Sequence, residues 1–140
     1  MVARGSIIVD AAAIVASIDE LDQWHADANR LFRELAKPLL TCESAVSESC
    51  HLLKGAKNGP DRVLELASGG AIKIEYNAGP DIGFLQLMMF KYRDVPMSFA
   101  DACLVRMSEI FDAPVFTFDT DFRIYRRNKR NIIPLIGIDN

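Results

Sequence analysis

Short apolar runs alternate with helix-spaced segments along the whole chain, and that alternation restricts the fold more than any single motif does. The runs are "SIIV" (Ser6 to Val9), "PLLT" (Pro38 to Thr41), "AIKIEY" (Ala71 to Tyr76), "PVFTF" (Pro114 to Phe118) and "IIPLI" (Ile132 to Ile136). Between the first two, Trp24, Ala28, Leu31, Phe32 and Leu35 recur at the spacing of one apolar helix face, while Asp22, Gln23, Asp27, Arg30, Arg33 and Glu34 fill the other. Further helices are predicted over "SAVSESCHLLKG", closed by Gly55, over Arg62 to Ala67 up to Gly69 and Gly70, over "IGFLQLMMFKYRD" as a buried helix, and from Ser98 onward. Strands that alternate with helices pair in parallel and carry helices on both faces. The reading is therefore a doubly wound α/β sheet, mainly parallel, whose ligand sites lie beyond the carboxyl ends of its strands. Pro134 assigns the last run to a sheet edge.

At 140 residues the chain suits a single domain spanning 1–140, with one site. Half its residues are hydrophobic and a quarter charged, the balance of a packed globular protein. No apolar run approaches the roughly 18 residues of a membrane span, and no signal peptide opens the chain, so a cytoplasmic protein without a membrane partner is expected. The opening "MVARGS" reads as a frayed terminus. Cys42, Cys50 and Cys103 are odd in number and form no C-x-x-C pair, so they are expected reduced and buried as small hydrophobes. A formal charge of −3 argues against coating nucleic acid by bulk electrostatics. Yet Arg123, Arg126, Arg127, Lys129 and Arg130 crowd into one local basic patch.

The acidic residues matter most, because a doubly wound sheet gathers the residues that end its central strands at one place. Asp10 ends the first strand, Asp119 ends the fourth with Asp121 two residues later, Asp101 opens the helix leading into the fourth, and Glu48 sits in the helix after the second. Each has a structural explanation on its own. Asp10 suits an N-cap, "SFAD" from Ser98 resembles a capping box, Asp119 or Asp121 suits a turn, and Glu48 suits an exposed helix position. Together, carboxylates in one cleft repel one another unless a cation neutralises them. Hard oxygen donors in that number suit Mg2+ or Mn2+.

The ordered set "IIVDAAAI", "TCESAVSESCHLL", "MSFADACLV" and "VFTFDTDFRIYR" resembles the PIN-domain family, including its VapC-type ribonuclease toxins, over nearly the whole chain. The resemblance implies a strand order of 3-2-1-4-5. It implies metal-binding acids at Asp10, Glu48, Asp101 and Asp119, with Asp121 as a variable addition, and endonucleolytic RNA cleavage by metal-activated water. It also implies a small antitoxin partner. The chain departs from the family at Ser98, where relatives often carry another acid.

An acidic cleft repels a polyanion, so Arg123, Arg126, Arg127, Lys129 and Arg130 are read as phosphate contacts and Tyr125 as a stacking platform for an unpaired base. His25 is expected in solvent, and His51 and Glu43 on helix surfaces. Ser44 and Ser47 have no histidine partner for nucleophilic chemistry. The helix around Phe84, Leu87, Met88 and Phe90 is expected to pack within the chain, with a homodimer interface as the other use. Phosphoryl transfer to an aspartate is disfavoured by Ala12, and dinucleotide binding by the lack of G-x-G-x-x-G. The competing function is a non-catalytic PIN-like module that binds RNA or protein.

Overall fold

The computed structural model describes residues 5–139; most of the "MVARGS" terminus lies outside the described residues. Five short parallel strands form one sheet: β1 (Ile8–Val9), β2 (Leu39–Thr41), β3 (Ile72–Ile74), β4 (Val115–Phe116) and β7 (Leu135–Ile136). Their order is β3-β2-β1-β4-β7. This is the expected 3-2-1-4-5 order with the last strand renumbered, because β5 (Arg126–Arg127) and β6 (Asn131–Ile132) form a separate antiparallel hairpin before it. The edge position of β7 agrees with Pro134, whose carbonyl accepts from Val115 N–H at 2.9 Å although its own nitrogen cannot donate.

The helices are α1 (Ala11–Ile18), α2 (His25–Glu34), α3 (Glu43–Leu52), α4 (Gly59–Ser68), α5 (Ile82–Lys91) and α6 (Phe99–Ile110). They cover both faces, and the alternation of side chains along each strand divides the core accordingly. Val9, Leu39, Ile72 and Phe116 point into one cluster with Ile14, Phe32, Val46 and Val63 from α1, α2, α3 and α4. Ile8, Leu40 and Val115 point into the other with Leu85, Met88, Leu104, Met107 and Tyr125.

Helix α2 begins one residue after Trp24, whose ring stacks on Phe118 with centroids 5.3 Å apart. His25 is not in open solvent as expected. Its Nδ1 lies 2.7 Å from the Ala16 carbonyl and its Nε2 2.8 Å from Asn29 Nδ2, an arrangement that selects the tautomer with the proton on Nδ1 and ties α2 to α1. Cys42 and Cys103 are buried and Cys50 half-buried, all as free thiols.

Helix α5 departs from its expected burial. Leu85, Met88 and the following Tyr92 face the core, but Phe84, Leu87 and Phe90 are 43%, 72% and 65% exposed. Arg106 and Arg93 lie over the Phe84 and Phe90 rings, at 4.7 and 4.2 Å. A groove of about 210 Å3 opens beside this face, lined also by Lys91, Arg126 and Lys129.

Phe116, fully buried on a central strand against Phe32 and Phe118, should be among the least replaceable core residues. Phe116→Ala is expected to lower unfolding free energy by about 3–5 kcal/mol in urea denaturation. Leu21→Ala, at a side chain 95% exposed, should change it by less than about 0.5 kcal/mol.

Candidate functional site

Strand parity decides which acids meet. Ile8 faces the α6 side of the sheet, so Asp10, two residues on, continues on that side; Val115, Thr117 and Asp119 do the same from β4. Strands β1 and β4 are hydrogen-bonded neighbours, and the Asp10 N–H donates to the Phe116 carbonyl at 3.2 Å. Helix α6 runs back toward the start of β4, which brings its N-terminal turn, with Asp101, over the carboxyl ends of both strands.

Asp10 is 3% exposed. One carboxylate oxygen caps α1 by accepting from Ala13 N–H at 2.9 Å, and the other accepts from the Thr117 hydroxyl. The Thr117 oxygen in turn accepts from Asp119 N–H at 2.9 Å, so one buried hydroxyl spans the ends of both central strands. Thr117 escapes a reading of the sequence because a threonine in a strand is ordinary; its only clue is its parity with Asp119. Gly137 supports the same place from β7. Its φ is +103°, and a Cβ there would stand 2.5 Å from the Thr117 carbonyl.

Asp101 fulfils the capping-box expectation and also joins the acidic group. Ser98 Oγ accepts from Asp101 N–H, and Asp101 Oδ2 accepts from Ser98 N–H, both at 3.0 Å. Asp101 Oδ2 also accepts from the Tyr125 hydroxyl at 3.2 Å. Asp119 caps the short turn Thr120–Arg123, its Oδ1 accepting from Asp121 N–H at 2.9 Å.

Asp10, Glu48 and Asp121 each sit in the fields of Asp101 and Asp119. Burial pushes the Asp10 carboxyl up to about 7, against the Thr117 and Ala13 hydrogen bonds, and the charges of Asp119 and Asp101 push it further. Glu48, Asp101 and Asp121 are also raised. Partial burial is the largest cause in each, and Asp119 contributes to all three, while Asp101 contributes to Glu48 and Asp121. Glu48 is exposed on α3, the helix position the sequence allowed it, so water screens its share. The donor set fits a hard divalent cation in kind, being five carboxylates with no imidazole or thiol in the cluster. Among the described residues, no three Asp, Glu, His or Cys side chains close into a ready-made metal cage.

The basic run does not form one patch at this cleft. Tyr125 is fully buried, edge-on to Phe122 and Tyr92 at 5.2 Å, and cannot stack on a base; its hydroxyl braces Asp101 instead. Arg126 is half-buried, with its guanidinium on the carbonyls of Arg123, Ile124 and Tyr125. Arg127 is paired with Asp112 at 2.8 Å and donates to the Ser108 carbonyl. Ser108 lies seven residues along α6 from Asp101, roughly 10 Å at 1.5 Å per residue. The chain then reverses through Asn128 and Lys129, both at positive φ, and carries the hairpin away from the acids. Arg123, Lys129 and Arg130 remain exposed, with Arg123 nearest the acids in sequence. His51 is exposed, and Glu43 is the first-turn acid of α3.

A structural comparison places the fold beside a known one. The chain is similar to VapC20 of Mycobacterium tuberculosis, a toxin that cleaves the sarcin-ricin loop, with a TM-score of 0.75 and 18% identity over 83% of this chain and 92% of that one. The architecture is thus the PIN-like fold that the sequence motifs resemble. No protein-family profile matches the sequence, and no curated protein matches it.

The raised carboxyl of Asp10 has a consequence for stability. A group held above its unfolded value of about 3.8 stabilises the fold fully below that pH, and the contribution is lost as pH rises through about 7. Asp10→Asn keeps an oxygen for the Ala13 N–H and an amide for the Thr117 oxygen while deleting the charge. In chelator, its unfolding free energy should match the parent near pH 4 and exceed it by about 2–4 kcal/mol at pH 8. A gap independent of pH, measured by urea denaturation, would contradict this.

Proposed function

We propose that the chain is a Mg2+- or Mn2+-dependent endoribonuclease and the toxin of a toxin–antitoxin pair. The observation that carries this reading is the convergence of Asp10, Glu48 and Asp121 on the fields of Asp101 and Asp119 at the carboxyl ends of β1 and β4. The PIN-like fold adds support, since the similar solved structure is a toxin acting on RNA.

Asp10, Glu48, Asp101 and Asp119 would hold the cation, with Asp121 assisting. When bound, a divalent ion supplies Lewis acidity toward phosphoryl oxygens and lowers the pKa of water. The chain's own groups set the geometry. Thr117 fixes the Asp10 carboxylate and the start of the Asp119 turn, and the Ser98 cap with the Tyr125 hydroxyl fixes Asp101. Glu48 stands at the solvent side, where it can exchange a proton with attacking water. Arg123 is the exposed cation for a phosphate beside the acids; Lys129 and Arg130, carried off by the hairpin, would meet only phosphates farther along the strand, and Arg127 is committed to Asp112.

In this reading, residues 1–140 act as one cytoplasmic domain. Among the described residues, no helix is long and apolar enough to cross a membrane. An antitoxin would cover the acids, presenting arginine to them. The exposed α5 face of Phe84, Leu87 and Phe90 offers a surface for a protein partner, a second copy included.

The second reading, a PIN-like module that binds RNA or protein without cutting, is favoured by Ser98, which stands as a helix cap where relatives often add an acid. Cleavage of a fluorogenic single-stranded RNA separates the two. The parent should cut with Mg2+ or Mn2+ and stop in chelator, and Asp10→Asn and Asp119→Asn should each lose at least about 100-fold in rate. Binding without cutting at any metal concentration would favour the module.

A further inference from the structure

A second concavity lies on the same edge of the sheet as the acids and has no role in the chemistry above. It encloses about 190 Å3 where the N-terminal turns of α3 and α6 meet the segment leaving β3. Its lining includes Glu43, Ser44, Asn77 and Phe99, with the buried Cys42 and Cys103 beside them. Resting on the ribonuclease reading, we propose that this concavity is a subsite for one unpaired base of the RNA, with Phe99 as its stacking wall and Glu43 accepting hydrogen bonds from the base edge.

One sequence offset ties the concavity to the cleft: Ser44 is four residues before Glu48, on the same side of α3, while Phe99 and Asp101 share only the first turn of α6. The strands give the scale. The concavity sits past β2 and β3, one and two strand spacings from β1, or roughly 5–10 Å from the end that carries Asp10. That is within reach of a nucleotide adjoining the one being cut.

The lining suits a base better than a phosphate. Phe99 is 40% exposed at the mouth and has no aromatic partner among the described residues, so its ring can offer a face to any base. The Glu43 carboxylate is exposed and makes no ion pair among the described residues; it would repel phosphate but accept from amino and imino N–H groups. Asn77 spends its amide oxygen on Gly79 N–H at 3.2 Å, leaving its NH2 as a donor. Tyr76 also lines the concavity, and its hydroxyl is committed to Asp81, to which it donates at 2.8 Å. A carboxylate beside an amide donor favours a base whose pairing edge has adjacent N–H donors next to an acceptor, which describes guanine.

The test uses Asp10→Asn protein, silenced for cleavage, and fluorescein-labelled single-stranded RNA hexamers carrying guanine, inosine or an abasic position at each site. Adding Phe99→Ala should weaken binding roughly tenfold and remove the penalty for the abasic position. Adding Glu43→Gln should abolish the preference for guanine over inosine. Both substitutions, placed in the parent, should leave Mn2+ affinity by calorimetry and the far-ultraviolet circular dichroism of the folded protein unchanged. Unaltered RNA binding by the Phe99→Ala protein overturns the subsite while the cleavage reading stands. Phe99-dependent binding by a parent that never cuts supports the subsite and overturns the cleavage reading; the lack of any RNA binding overturns both.

Discussion

A carboxylate sealed at the end of the central strand is the constraint on which the site depends. Asp10 sits beyond β1 with almost no exposure and no cation among its hydrogen-bond partners. Burial alone favours the neutral acid, and two nearby carboxylates push the same way. Only the Thr117 hydroxyl and the Ala13 N–H oppose them. These two contacts are also structural, since one starts α1 and the other joins β1 to β4. Removing the charge should therefore leave the fold intact and stabilise it above neutral pH.

The other acids grade outward from this point. Asp101 is half-buried and doubly braced, by the α6 cap and by a tyrosine whose ring is locked between Phe122 and Tyr92. Asp119 and Asp121 occupy a single turn, and Glu48 reaches in from α3 as an exposed side chain. The gradient joins a rigid inner pair to a more adjustable rim. Such a division suits a site that must hold its geometry while a long polymer enters from one side.

Much of this is legible in the sequence, for identifiable reasons. Each of the five apolar runs contains a strand of the sheet, because short, mostly apolar segments between helices are rarely anything else. Strand order comes from the family resemblance, since periodicity cannot choose neighbours. Helix α5 misleads because two apolar stripes run along it. Leu85, Met88 and Tyr92 form one stripe and Phe84, Leu87 and Phe90 the other, and composition does not say which faces inward. The basic run misleads because proximity in sequence is lost at a hairpin: two residues with positive φ send Lys129 and Arg130 away from the acids, and Asp112 claims Arg127. Tyr125 suggests a substrate contact because a tyrosine among arginines looks exposed, whereas it fills the core beneath α6. Thr117 carries no signal of its own, though it joins the two aspartates that matter most.

Direct binding of the cation tests the account most closely, because it needs neither the RNA target nor a partner. Titration of the purified chain with Mn2+, followed by electron paramagnetic resonance of the free ion at pH 7.5, should show saturable binding that Asp119→Asn weakens at least about tenfold. Saturation unchanged by that substitution, or no saturable binding up to millimolar Mn2+, would contradict the assignment of these carboxylates as a metal site.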